Sequence, residues 1–388
     1  MNSFIDINYK SVNKYTEELC GDKVEYIYDD NGCVIVISDG LGSGVKANIL
    51  ATMTTKIAVT MLKNGASIDD TIETIINTLP ECKVRRLAYS TFTIIKIDKN
   101  NNAYIAEYDN PPYFYYSHKK IIPIEKNERI IGNKKIYESN IKLEEGDTVC
   151  VVSDGAIHAG IGQMLNLGWS WDEVNEYLKD LNNVNKSAQI INGNFIGVCS
   201  NLYNNKPGDD TTILTIKIRR PEIIDVFIGP PADISLDKKL AEIMNTSNNI
   251  KIICGGTTAL IAERELGKEL QVDLDSMMED VPPIAYMEGF DLVTEGVLTL
   301  GKTLENIKTL NKSSYDTIIE YSNYDGCSLL TRMLTDIGTH INFYIGRAVN
   351  PAHQNPNFPM GYNIKQNIVE DLVEELNKAG KKVNIMYL

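Results

Sequence analysis

Nothing in this 388-residue sequence reads as a cysteine framework. Its seven cysteines (Cys20, Cys33, Cys82, Cys150, Cys199, Cys254 and Cys327) are odd in number, and no two stand in C-x-x-C spacing. That excludes a disulfide scaffold or a zinc ribbon and predicts small buried hydrophobes in a reducing compartment. Basic charge is also short: 38 Lys and Arg stand against 52 Asp and Glu, a net charge of −14. Nucleic acid and anionic membrane surfaces are therefore disfavoured as partners. No run approaches the roughly 18 apolar residues needed to span a bilayer. The first ten residues, MNSFIDINYK, lack the charged start and apolar core of a signal peptide. Internal repeats and low-complexity segments are missing too. The expectation is a soluble, cytoplasmic protein, and at this length two domains.

What is present is a repeated grammar of acidic strand ends. Cys33–Ala47 reads CVIVISDGLGSGVKA, an apolar β-branched run that stops at Ser38-Asp39-Gly40 and passes through Gly42 and Gly44 into a helix. Asp147–Gly155 reads DTVCVVSDG, and Pro207–Ile218 reads PGDDTTILTIKI, in which Asp209-Asp210 precedes a strand. One Asp-Gly is a common turn dipeptide. Three acidic strand ends in one domain point further, because carboxylates gathered at one sheet edge repel unless a cation neutralises them. An all-oxygen donor set suits hard ions such as Mg2+ or Mn2+.

The pattern along residues 1–219 predicts an α+β domain. A hairpin turns at Asp29–Gly32. Two helices follow, one over Ala47–Leu62 and one opened by Ser67 with Asp70 and stopped by Pro80. Strands Tyr89–Ile97 and Ala103–Tyr108 come next, and Tyr113–Tyr116 resumes the pattern after Asn110-Pro111-Pro112. Ser170 with Glu173 opens a helix over Trp171–Leu181, and the asparagine-rich stretch 182–205 reads as an irregular connection. Hairpins plus packed helices predict an antiparallel β-sandwich flanked by helices. The apolar stripe of the helices between Ala47 and Leu79 fits a switch or homodimer surface, and equally a face packed on the sheet. Arg219-Arg220-Pro221 marks a boundary, and residues 220–388 alternate strand and helix, as an α/β domain with a mostly parallel sheet does.

With Ser38-Asp39-Gly40, Ser153-Asp154-Gly155 and Gly208-Asp209-Asp210-Thr211-Thr212 in this order, residues 15–219 resemble the metal-dependent protein phosphatases of the PPM superfamily, above all the bacterial SpoIIE-like and RsbX-like serine phosphatases. Asp39–Ala47, DGLGSGVKA, is similar to that family's Asp-Gly-Met-Gly-x-Gly-x-x-Ala signature. The resemblance implies two Mn2+ or Mg2+ ions bridged by Asp39, with the Gly40 carbonyl touching one of them. Asp154 and Asp209 would complete the shell, with Asp210 adjacent or substituting. Gly21-Asp22 matches an upstream Ser-Gly-Asp with Cys20 in the serine position, so Asp22 is a candidate for a metal-bound water or an outer role. The implied reaction is hydrolysis of a phosphoserine or phosphothreonine ester by an activated water. The implied partner is a phosphoprotein of a bacterial signalling circuit, an anti-sigma-antagonist-like protein among the candidates. The family's Gly-His/Asn-x-Pro stretch appears here as Tyr108-Asp109-Asn110-Pro111-Pro112. His158, four residues after Asp154, reads as a loop histidine. A catalytically silent phosphoprotein-binding scaffold and a small-molecule phosphohydrolase are the alternative readings.

In the second domain Ile252–Arg264, IICGGTTALIAER, places Gly255, Gly256, Thr257 and Thr258 between a strand and a helix. Backbone amides at such a turn bind phosphate or another anion. Without the P-loop lysine, a structural turn with Thr257 as N-cap is the plainer reading. Gly229-Pro230-Pro231 and Asn350–Pro356 read as loops at strand ends, where open α/β sheets place ligands. The sequence leaves this domain's role open, regulation included.

Overall fold

The computed structural model describes residues 3–29, 31–79, 90–132, 134–183, 186–278, 280–312, 325–348 and 364–388. Pro80, Cys82, Tyr89 and the loop 350–356 lie outside them. The chain divides into two compact units, one holding Ile5–Arg220 and the other built chiefly from Pro221 onward.

The first unit opens with β1 (Phe4–Val12), β2 (Asp22–Asp29), β3 (Gly32–Asp39), α1 (Gly44–Lys63) and α2 (Ile68–Thr78). Next come β4 (Phe92–Asp98), β5 (Asn102–Tyr108), β6 (Phe114–Ser117), β7 (Lys120–Ile121), β8 (Asn127–Ile131), β9 (Lys134–Lys142) and β10 (Thr148–Val152). The short α3 (Asp154–Ile157), α4 (Trp171–Asn183), α5 (Ala188–Leu202) and β11 (Thr211–Arg219) complete it. One sheet has the order β2-β3-β4-β5-β9-β8, antiparallel throughout; the other has the order β1-β11-β10-β6-β7.

The run in β3 is continuous because both of its faces are buried. Ile35 and Ile37 meet Val149, Val151, Leu214 and Ile216 between the sheets. Val34 and Val36 face the other way, against Leu50, Ala58, Ile72 and Ile75 of α1 and α2. On the far side, Cys150, Val152 and Ile213 pack on Val174, Leu178, Ile191 and Phe195 of α4 and α5. The result is helices, sheet, sheet, helices. The stripe on α1 and α2 is thus a sheet-packing face, although Val45, Ile49 and Met53 on α1 stay exposed.

Both expected helix starts are capped. The Ser67 hydroxyl accepts from the Asp70 amide at 3.1 Å, and Ser170 with Glu173 forms a reciprocal box. Ser67→Ala is expected to cost about 1 kcal/mol, read as a lowered urea midpoint. The irregular connection predicted over 182–205 is corrected by α5. Ser187 caps that helix by accepting from the Ile190 amide, and Ile191, Phe195, Ile196 and Cys199 are buried on its inner side. Polar asparagines on the other turns masked this 3.6-residue period.

The second unit runs β12 (Ile223–Ile228), α6 (Asp237–Thr246), β13 (Ile250–Cys254), α7 (Gly256–Leu266), β14 (Gln271–Asp273), β15 (Ile284–Tyr286) and β16 (Leu292–Thr294). It continues with α8 (Val297–Asn311), α9 (Gly326–Arg332) extended by a π turn Met333–Ile337, β17 (His340–Ile345), α10 (Ile364–Lys378) and β18 (Lys382–Tyr387). Five strands pair in parallel in the order β16-β13-β12-β17-β18, and β15 and β14 extend the β16 edge antiparallel. β14 to β16 escape the strand pattern because each is only three residues long.

Numbered by their place in the chain, the parallel strands stand third, second, first, fourth, fifth. The helices obey that reversal. Leu240 and Met244 of α6 and Ala259 and Ala262 of α7 pack with Phe227, Ile253 and Val293 on one face. Leu300, Leu304, Leu330, Val369 and Leu372 of α8, α9 and α10 pack with Val226, Ile252 and Phe343 on the other. Crossovers of one hand that change direction along the sheet must change face. Among the described residues no helix is long and apolar enough to cross a membrane.

Candidate metal centre at the acidic strand ends

The hairpin of β2 and β3 sets the site. Asp29 stands opposite Gly32, and counting back along both strands puts Asp22 opposite Asp39. Directly opposed residues of an antiparallel pair share a face with their Cβ atoms about 5 Å apart, and like charges there repel. Asp22 is also 3% exposed, and neither of its carboxylate oxygens has a hydrogen-bond partner. Gly40 follows at the strand tip, where its amide donates to the Gly21 carbonyl at 3.1 Å. Its α-carbon lies against the first turn of α1. Asn48 on that helix donates to the Cys20 carbonyl at 2.8 Å, fastening α1 to the segment that carries Asp22.

The second sheet delivers the other acids. β10 ends at Val152, Ser153 is the N-cap, and Asp154 opens α3. The Ser153 hydroxyl accepts from the Thr212 amide at 2.9 Å, which ties this turn to β11 just beyond Asp209-Asp210. Gly155 is needed there, because a Cβ on it would sit 2.1 Å from the Asp210 carbonyl oxygen. Tyr203 at the end of α5 donates to the Gly155 carbonyl at 2.8 Å.

Asp209 and Asp210 differ. Asp210 is 4% exposed; one oxygen accepts from the Lys14 amide at 3.0 Å and the other is buried without a partner. Asp209 is half-exposed and pairs with the Lys14 ammonium at 3.7 Å. The small residue at Gly21 leaves room for Asp210, whose Oδ2 would be 2.8 Å from a Cβ there.

Electrostatically the five acids form one group. Burial, then Asp22, Asp154, Asp209 and Asp210, hold the Asp39 carboxyl far above the ordinary range. Burial dominates for Asp22 too, against the nearby Ser153 and Thr212 hydroxyls. Asp154 is raised by burial and by Asp209, with exposed His158 opposing the shift. The His158 amide closes the α3 turn on the Asp154 carbonyl at 3.0 Å. Burial also raises the Cys20 thiol, so Cys20 is no thiolate nucleophile.

The donor set fits a hard divalent cation. Buried Asp225 accepts from Ser247, Asn249 and Asn342, and buried Asp147 is bonded through one of its two oxygens. Neither oxygen of Asp22 is bonded, nor is the inner oxygen of Asp210, and buried acceptor oxygens left without a partner are what an oxygen-liganded ion can use. Among the described residues, no three His, Cys, Asp or Glu side chains close on one point as a single-ion cage.

Two residues of this site carried no signal in the sequence. Lys14 reaches Asp209 and Asp210 from nearly 200 positions away, and Glu17 accepts from Ser43, the N-cap of α1, at 3.0 Å. In the second unit Gly255, Gly256, Thr257 and Thr258 do lie together at the tip of β13, but the N-cap of α7 is Gly255 and not Thr257. Gly255 has φ +128°, which an L side chain rarely adopts, and the helix starts two residues earlier than a Thr257 cap allows.

No curated protein matches the chain. Among solved structures, the phosphatase domain of SpoIIE from Bacillus subtilis is similar at 18% identity, over 56% of this chain and 94% of that one, with a TM-score of 0.43. The SiaA PP2C domain of Pseudomonas aeruginosa is similar at 16% identity, over 54% of this chain and 85% of that one, with a TM-score of 0.45. RsbX in complex with magnesium is similar at 19% identity, over 55% and 95%, with a TM-score of 0.41. Residues 29–219 match the family model for Stage II sporulation protein E (SpoIIE). Over those residues this chain therefore carries a domain of the SpoIIE family.

Proposed function

We propose that the first unit is a divalent-metal-dependent phosphatase acting on phosphoserine or phosphothreonine in a protein of a bacterial signalling circuit. The observation that carries this reading is the pairing of Asp22 with Asp39 across one hairpin, with Asp154, Asp209 and Asp210 beside them and three buried carboxylate oxygens unpartnered. Asp39, Asp154 and Asp209, with the Gly40 carbonyl, are the residues proposed to hold two Mn2+ or Mg2+ ions. Asp210 and Asp22 complete the negative surround, orienting bound water or taking a ligand place. Bound cations of this kind supply an acidified water near neutral pH and neutralise charge on a phosphoryl group.

The chain's own residues provide position. Gly40 and Gly155 let backbone approach where a side chain would not fit. Tyr203 holds the Gly155 carbonyl, and Lys14 holds Asp209 and Asp210 from the β1 side. Burial holds the Cys20 thiol protonated, and in this reading the acids act through water and charge.

The test is hydrolysis of p-nitrophenyl phosphate and of a phosphoserine peptide by the full chain. Turnover is expected with Mn2+ or Mg2+, to vanish with a chelator, and to return when the ion is restored. Turnover that persists in chelator defeats the proposal. Faster turnover of phosphorylated metabolites than of any phosphopeptide moves it to a small-molecule phosphohydrolase.

A further inference from the structure

The carboxyl edge of the second unit's sheet holds a feature that the proposed phosphatase does not use. A doubly wound sheet opens its crevice where the strand order reverses, here between β12 and β17. In this chain backbone closes that point. The Gly346 amide donates to the Ile228 carbonyl at 2.9 Å and the Ala348 amide to the Pro230 carbonyl at 3.2 Å. A Cβ on Gly346 would fall 2.0 Å from the Pro230 oxygen. The neighbouring tips, β13 and β16, are the ones left to meet a ligand.

There two helices begin side by side, each with a glycine N-cap: Gly255 for α7 and Gly296 for α8. The Gly255 amide donates to the Thr294 carbonyl at 2.9 Å, which locks the two tips together. In α8 the Leu298 amide donates to Glu295 at 3.2 Å, so that helix satisfies one of its own first-turn donors. In α7 nothing comparable occurs. No side chain caps the helix, no acid stands in its first turn, and the amides of Gly256, Thr257 and Thr258 are the donors that a helix leaves unpaired. Among the described residues the space outside is open, since a Cβ on Gly256 would meet no atom of theirs within 4 Å.

The Thr258 hydroxyl supplies the independent observation. Thr258 is 0% exposed, and its Oγ1 has no hydrogen-bond partner among the described residues. It points back at the turn, 3.6 Å from where a Cβ would stand on Gly255, while Gly296 closes the other side of that position at 4.0 Å. A buried hydroxyl without a partner carries a desolvation penalty that a bound acceptor would relieve. Aimed at a seam of uncapped amides, it has the position of a donor to an anion's oxygen.

We propose that the Gly255–Thr258 turn at the start of α7 binds the phosphate group of a small molecule, through the first-turn amides and the Thr258 hydroxyl. Glu295 on the adjoining tip sets a limit on charge, which favours a single phosphate over a polyphosphate. Free phosphate and a phosphomonoester share this chemistry, and binding strength separates them.

The experiment is isothermal titration calorimetry on the full chain in chelator, where the acidic cluster of the first unit repels anions. The probes are inorganic phosphate and adenosine monophosphate. Saturable binding is expected for at least one probe; equal affinity for both points to free phosphate, and tighter nucleotide binding to an organic phosphomonoester. Gly256→Asp places a carboxylate at the first helical position, where there is room and where helices favour acids, so the fold holds while the anion is repelled. It is expected to weaken binding about tenfold or more, and Thr258→Val, which keeps the shape and removes the hydroxyl, about three- to tenfold. Both variants should melt no lower than the parent. No saturable binding of either probe, or binding unchanged in both variants, overturns the proposal.

Discussion

Asp39→Asn is expected to lower divalent-cation-dependent hydrolysis of p-nitrophenyl phosphate by about a thousandfold or more while the protein remains folded. Asn has almost the shape of Asp and keeps a carbonyl oxygen, so the end of β3 is undisturbed. What is removed is one negative charge among five. Asp22, Asp154, Asp209 and Asp210 all act on Asp39. The same change relieves repulsion across the Asp22–Asp39 pair. In chelator the melting temperature should therefore stay level or rise, and this opposite sign separates loss of chemistry from loss of fold. A variant that keeps turnover removes Asp39 from the centre. A variant that loses turnover and also melts well below the parent shows a structural part instead.

Gly40→Ala should be severe for a different reason. A Cβ there would lie 2.0 Å from the Ala47 carbonyl oxygen, 2.7 Å from its carbon and 2.8 Å from its Cα. These are backbone atoms in the first turns of α1 and cannot rotate aside. To admit one methyl, α1 must back away from the sheet, and with it the contacts of Leu50, Ala58 and Val59 on Val34 and Val36. Overpacking of this kind costs about 3 kcal/mol or more where the neighbour is rigid. Gly42 is the internal control. Its φ is +105°, and among the described residues no atom lies within 4 Å of a Cβ, so Gly42→Ala pays conformational strain alone, about 1–2 kcal/mol. Denaturation followed by circular dichroism should rank Gly40→Ala well below Gly42→Ala. Equal midpoints would mean that α1 is not held against the strand tip as described.

The sandwich was legible because its signals are local. A strand with both faces buried reads as an unbroken apolar run, and the abrupt Asp-Gly at the end of Cys33–Asp39 marks where burial stops. The caps at Ser67 and Ser170 were legible for the same reason, since each partner lies three residues away. The helix over Ala188–Leu202 was hidden by composition. Asparagine favours loops on average, but the apolar positions kept helical spacing, and burial against β10 and β11 overrode propensity.

By itself the sequence determined which acids end which strands, and through the turn at Asp29–Gly32 it even contained the register that sets Asp22 against Asp39. It did not say that Asp22 is buried without partners, that Asp210 is the enclosed member of the Asp209-Asp210 pair, or that Lys14 reaches both. Nor did it order the parallel strands of the second unit or close their reversal point with Gly346. Periodicity and caps are properties of neighbours along the chain, set by the geometry of one helix or one strand. Burial, strand order and the meeting of residues nearly 200 positions apart depend on how separate elements pack, and no local pattern records that.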